Sequence, residues 1–456
     1  MFKETIYTPG IAHLSYIIGD GGQAAVIDPR RDVELYLEIA RKEEVVITHI
    51  FETHRNEDYV IGSQELAEIT GAEIYHGKEL DFQYGNPVSE GEEFTLGNVK
   101  LQVLHTPGHT LESISLVYRD MEFSQQPLGV FTGDALFIGD VGRTDFYPDR
   151  KEEVAGMLYD SIFEKLLPLG DQVLLWPSHG AGSVCGSGMA DRNFSTLGYE
   201  RENNPVLRKR DRDEFISYKT SEIHFKPPYF KKMEEYNLQG APPMKDLPWP
   251  KAFSAERFHE AREKGMQIVD VRSPEAFAGT HIAESFSLPL AMLPAFGGMF
   301  LEYDRPIGLV VEDSDQVARA QKYLSRIGYD RVEAFLADGL HGWETSGLPL
   351  EKVGVVDIRE LGRRIEEKEE FTLLDVRSEE EFESGHLPGA VNIYLGELPN
   401  KMGEISQEKK VTTFCGSGQR AMVAASYLLQ QGFSDVEDCL GSLSACESIE
   451  CDLIMT

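Results

Sequence analysis

A segment reading IVDVRSPEAFAGTHIAESFSLPL from Ile268 returns as LLDVRSEEEFESGHLPGAVNIYL from Leu373, and no other feature constrains the fold of this chain as tightly. Asp270 and Asp375, in the two DVRS tetrapeptides, stand 105 residues apart. Downstream, ARAQKYLSRIGYDRVEAF recurs as VAASYLLQQGFSDVEDC: a helix with small and apolar residues on one face, a glycine, then a strand. Self-similarity at this period means two copies of one α/β unit. It places domains at residues 249–352 and 353–456 and leaves 1–248 as a domain of another kind.

A chain of 456 residues is too long for one ordinary core, which agrees with three domains. Its start has no basic region followed by an apolar run, and no stretch of ~18 apolar residues occurs, so neither a signal peptide nor a membrane span is expected. Five unevenly spread cysteines make a poor disulfide framework and suit a reducing, cytoplasmic compartment. A formal net charge of −33 repels nucleic acid and anionic lipid, so neither is an expected partner.

Up to about residue 190, apolar strand-like runs alternate with helical patterns, and EFTL and VKLQVLHT flank Gly97-Asn98, a two-residue hairpin signal. The first domain is therefore α/β with much antiparallel sheet. Residues 200 to 250 are rich in charge and proline without sustained periodicity and read as an extension that becomes a linker.

Four runs in this domain end in a group able to hold a metal: VVITHIFET in His54, VKLQVLHTPG in His109, LGVFTG in Asp134 and QVLLWPS in His179. Strand ends on a common edge are where α/β folds place their sites. Over about residues 8 to 190 the chain resembles the metallo-β-lactamase superfamily, which implies an αββα sandwich. The family's HxHxDH motif reads here His54-Arg55-Asn56-Glu57-Asp58-Tyr59. Asn56 and Tyr59 remove two nitrogen ligands and disfavour a dinuclear zinc hydrolase.

What survives, His54, His109 and Asp134, has the composition of the two-histidine, one-carboxylate triad of non-haem iron oxygenases. This subset, with TGDALF and GRTDF, is similar to the persulfide dioxygenases, which implies one Fe(II) per chain, a thiol persulfide and dioxygen as substrates, and Asn56 outside the ligand shell. Arg143 matches an arginine near that family's substrate site, where it would meet an anionic persulfide or its carrier; the alternative is an ion pair with Asp145. Cys185 resembles a cysteine of the fused branch near the dioxygenase site, with a buried inert thiol as the alternative.

In the last domain VTTFCGSGQRA sets Cys415 between an apolar run and a helix expected to start near Ala421. Glycines let successive N–H groups of Gly416, Ser417, Gly418 and Gln419 point at one spot, a nest for an anion and for a thiolate. Both repeats resemble rhodaneses, which implies Cys415 as nucleophile and Arg420 as the cation facing the sulfur donor. In the first repeat Val311 replaces the cysteine and Gln316 the arginine, within an acidic EDSDQ loop, so that copy is expected to be structural. Cys439, Cys446 and Cys451 lack zinc-knuckle spacing and read as ordinary thiols.

The expectation is an α/β protein: a metallo-β-lactamase αββα sandwich followed by two rhodanese-like domains. Its expected function is iron-dependent persulfide dioxygenation to sulfite and thiol, coupled to thiosulfate:thiol sulfurtransfer in sulfide detoxification. Two alternatives stand beside it, a zinc thioester hydrolase of the glyoxalase II kind and a sulfurtransferase with a dead metal domain. The carrier thiol is open, and the fold's habit is a homodimer or higher homo-oligomer.

Overall fold

The computed structural model describes residues 1–186, 188–192 and 194–454. The chain forms two compact units, residues 1–247 together with 325–328, and the remainder from 248 onward.

The first unit holds two six-stranded sheets. One runs in the order Phe2–Thr8, His13–Asp20, Gln23–Ile27, Val46–Phe51, Glu73–Gly77 and Asn86–Val88. The other runs Ser195–Thr196, Leu174–Pro177, Gly129–Gly133, Ile114–Asp120, Val99–His105 and Glu93–Leu96. The Gly97-Asn98 turn closes an antiparallel hairpin in which Leu96 pairs with Val99, as its sequence predicts. Tyr16, Ile27 and Phe51 from one sheet meet Leu101, Leu116 and Phe131 from the other in a shared apolar layer. Helices Glu34–Lys42 and Ser63–Thr70 cover the first sheet's outer face, and Lys151–Asp160 covers the second's. This is the αββα sandwich.

Residues 197–239, most of them in the stretch read as an extension that becomes a linker, lie in the first unit. They form helices Leu197–Asn203, Arg212–Ser221 and Phe230–Gln239, with Phe215 buried beside Leu158 and Ile162. The sequence hides them because each buries few apolar side chains, and Arg212–Ser221 is announced chiefly by its cap, where the Asp211 carboxylate accepts from the N–H groups of Asp213 and Glu214.

The second unit contains the repeat as two five-stranded parallel sheets of identical order. The first runs Lys251–Phe253, Val332–Leu336, Ile307–Val310, Gln267–Asp270 and Phe286–Ser287; the second runs Gly354–Val356, Val436–Cys439, Val411–Phe414, Thr372–Asp375 and Val391–Asn392. The repeated DVR motif serves the fold in both. Arg272 forks onto the Asp270 carboxylate at 2.9 and 2.6 Å and donates to the Thr280 carbonyl, while Arg377 does the same to Asp375 at 3.0 and 2.6 Å and to Gly385. His281 and His386 likewise stack on Phe277 and Phe382 at 3.9 and 3.8 Å. Trp343 and Cys446 are both fully buried in their own copies. Among the described residues no helix is long and apolar enough to cross a membrane.

Candidate functional site

His54, His109, Asp134 and His179 each follow the C-terminal end of a strand, Val46–Phe51, Val99–His105, Gly129–Gly133 and Leu174–Pro177 respectively. All four are buried at one edge of the sandwich. Gly133, with φ of +55°, permits the approach, since a Cβ there would meet Thr53 Oγ1 at 2.7 Å.

Each of the three expected ligands is aimed by an outer partner. Thr53 Oγ1 donates to the Asp28 carboxylate at 2.7 Å and therefore accepts from His54 Nδ1 at 2.9 Å, leaving the lone pair on His54 Nε2. His109 Nδ1 donates to the Arg143 carbonyl at 3.0 Å, which leaves its Nε2 as the acceptor nitrogen. His179 Nδ1 donates to Asp134 Oδ1 at 2.8 Å, so that Oδ2 faces His54 Nε2 at 3.7 Å and His109 Nε2 at 3.6 Å. Among the described residues neither Nε2 has a hydrogen-bond partner. Buried acceptors turned on one another are costly unless a cation lies among them, so this donor set fits a metal ion.

The substituted motif positions stand apart from that set. Asn56 Nδ2 folds back to donate to the His54 carbonyl at 3.2 Å, and the Tyr59 ring packs on His13 with centroids 4.1 Å apart. His179 Nε2 lies 2.9 Å from Asp58 Oδ2. Burial works against the charged imidazole, but Asp134 and Asp58 on either side outweigh it and hold the His179 pKa well above its ordinary value.

Glu57, to which the motif reading attached no role, is fully buried, with Oε2 at 3.6 Å from His109 Nε2. Cys185 is also fully buried and within 4.8 Å of ligand atoms of Asp58 and His179, and again of His109 and Asp134. Burial, then the Asp58 charge, push its thiol pKa up. Arg143 takes the ion-pair geometry: Nε and Nη2 fork onto Asp145, both at 2.7 Å, and Nη1 donates to the Val184 and Phe225 carbonyls.

In the last domain Cys415 ends strand Val411–Phe414 and is 1% exposed. The Gly418 N–H donates to Cys415 Sγ at 3.1 Å, the contact expected of an anion nest. Helix Gln419–Gln430 begins two residues earlier than its sequence suggests, because Gly418, with φ of +91°, ends the loop there. Ser417 and Gln419 are exposed. Arg420, expected to meet the sulfur donor directly, is already forked onto Glu381 at 2.7 and 2.6 Å. In the first repeat Val311 is buried at the matching strand end, and Gln316 turns inward to accept from the Glu312 N–H at 2.9 Å.

The family model described as Metallo-beta-lactamase superfamily matches residues 8–179, and that of the Rhodanese-like domain matches residues 254–346 and 357–448. Hydroxyacylglutathione hydrolase GloC of Haemophilus influenzae is 29% identical over 43% of this chain and 92% of its own. The mitochondrial persulfide dioxygenase ETHE1 of Mus musculus is 28% identical over 44% of this chain and 74% of its own. A solved metallo-β-lactamase from Staphylococcus aureus is 33% identical, with a TM-score of 0.66, over 74% of this chain and 98% of that one. This chain belongs to the metallo-β-lactamase superfamily, in the fusion family that appends two rhodanese-like domains to a first domain related to persulfide dioxygenases.

Proposed function

We propose that the chain is a persulfide dioxygenase fused to a thiosulfate:thiol sulfurtransferase. The observation that carries this reading is the triad itself: two lone-pair nitrogens and one carboxylate oxygen, each aimed by its own partner, with Asn56 and Tyr59 turned away. His54, His109 and Asp134 would hold one Fe(II) per chain, which supplies redox chemistry with dioxygen that no side chain offers. The reaction takes a low-molecular-weight thiol persulfide, dioxygen and water to thiol and sulfite. Four electrons leave the outer sulfur and reduce dioxygen, and the S–S bond breaks as the thiol departs with a proton. Burial of all three ligand residues keeps bulk water from the centre.

At the second site the Cys415 thiolate attacks the outer sulfur of thiosulfate, the S–S bond breaks, and sulfite leaves; a thiol then takes the sulfur from the Cys415 persulfide. The Gly418 N–H stabilises the charge on Sγ. The thiol that takes sulfur from Cys415 becomes a thiol persulfide, the substrate of the first site, a chemical reason for the fusion.

One observation favours a second reading. The Asp58 carboxylate is buried beside Cys185, with Oδ2 2.9 Å from His179 Nε2 and Oδ1 without a hydrogen bond among the described residues, and GloC is among the relatives. A second metal there would support thioester hydrolysis. Elemental analysis after iron-replete expression separates the two: about one iron per chain is expected, and two zinc ions per chain would select the hydrolase. His109→Ala should abolish oxygen uptake on persulfide and leave sulfurtransfer, and Cys415→Ser should do the reverse.

A further inference from the structure

Glu57 occupies a motif position that supplies no ligand in the HxHxDH pattern, yet its carboxylate is aimed into the centre. Its Oε1 is held by Arg55 Nη2 at 3.3 Å, while Oε2 has no hydrogen-bond partner among the described residues. That free oxygen lies as close to His109 Nε2 as Asp134 Oδ2 does, 3.6 Å in each case. His54, Glu57 and His109 each offer one ligand atom within 4.8 Å of the others. Two atoms bound to one ion at ~2.1 Å lie ~3.0 Å apart at a right angle and ~3.4 Å apart at the tetrahedral angle, so the two 3.6 Å spacings are near those of atoms sharing an ion.

The hydrogen bonds explain why Glu57 points this way. With the His109 Nδ1 proton given to the Arg143 carbonyl, Nε2 faces the Glu57 carboxylate oxygen, and in a dry site the two repel unless a proton or a metal cation lies between them. Asn56, the neighbouring position that carries a histidine in the full motif, has turned its amide to the His54 carbonyl.

We propose that Glu57 is a fourth protein ligand, making the centre one of two histidines and two carboxylates; this rests on the reading that His54, His109 and Asp134 hold a single metal ion. A second carboxylate brings the ligand charge to that of a divalent cation with the opposite sign. It makes the site harder and more oxygen-rich, favouring Fe(II) or Mn(II) over softer competitors. It also leaves two of six coordination positions open in place of three.

The test is Fe(II) affinity, measured anaerobically on the full chain by competition with a ferrous chelator, together with the visible spectrum of the Co(II)-loaded protein. Glu57→Gln keeps the shape and removes the charge; Glu57→Asp keeps the charge and withdraws it by one methylene. Both should weaken Fe(II) binding by ~10-fold or more, the least that the loss of even an outer partner costs at such sites, and both should shift the cobalt spectrum. His109→Ala should lose the metal as well. Wild-type affinity and spectrum in both Glu57 variants, with the metal lost in His109→Ala, would overturn Glu57 as a ligand and leave the three-residue centre standing. Retention by Glu57→Asp alone would reduce Glu57 to a remote charge and also overturn the proposal. Undiminished binding in all three variants would sink the metal centre with it.

Discussion

The side-chain amide of Asn237 donates to the backbone carbonyl of Asn56 at 2.7 Å, across 181 residues of chain. The same amide donates to the Tyr59 carbonyl at 2.7 Å and accepts from the Ile61 N–H at 2.9 Å. One buried residue on helix Phe230–Gln239 therefore clamps the turn that carries Glu57 and Asp58.

Asn237→Ala would leave three backbone groups of that turn without their partner. Leaving a buried group unsatisfied costs about 1–3 kcal/mol. The expected outcome is a lower Tm with weaker metal retention, read by thermal unfolding and by metal content after dialysis. Asn237→Asp should be worse, because a carboxylate would face two carbonyl oxygens. A variant with wild-type Tm and metal content would show that the clamp is dispensable.

Arg420 and Glu381 form a near-neutral pair beside the Cys415 loop. Burial opposes ionisation of Glu381, but the Arg420 hydrogen bonds and charge outweigh it and bring the carboxyl down to about 2. A carboxyl lowered from its ordinary value lends stability that is present above that ordinary value and lost as pH falls through about 2. The pair is therefore intact throughout the neutral range. Glu381→Gln removes the competing anion, so KM for thiosulfate should fall while kcat changes less; a rise in KM would show that Glu381 mainly orients the guanidinium. Arg420→Lys should raise KM, since an ammonium cannot reproduce the fork.

Asp438 provides a pH test of the second unit. Burial, opposed by the Thr413 hydrogen bond and reinforced by the charge of Glu275, pushes its carboxyl up to about 8, and among the described residues its Oδ2 has no hydrogen-bond partner. A carboxyl raised in the folded state lends stability that is full below its unfolded value and drains away as pH rises through about 8. Wild-type Tm should therefore decline from about pH 4 to about pH 8 and level off above that. Asp438→Asn should flatten that decline, and an unchanged slope would refute the assignment.

The first unit's sandwich, the duplicated second unit, the triad His54, His109 and Asp134, and the contrast between Cys415 and Val311 are all legible in the amino-acid order. Each is a property of neighbouring residues: a run of apolar side chains ending in a ligand-type group, a DVRS tetrapeptide met twice, a glycine-rich loop after a strand. Periodicity and strand-end position survive reading along one dimension. Tertiary structure alone decided where the remaining polar groups point. Arg143 was legible as a cation near the site, but not that Asp145, Val184 and Phe225 would engage four of its five N–H donors. Arg420 was legible as a cation, but not that Glu381, 39 residues upstream, would engage it. Glu57 and Asn237 carry no sequence signal at all. A lone pair or a free carboxylate oxygen acquires meaning only from atoms brought to it across the fold, and those distances are set by how the sheets and the helices of residues 197–239 pack.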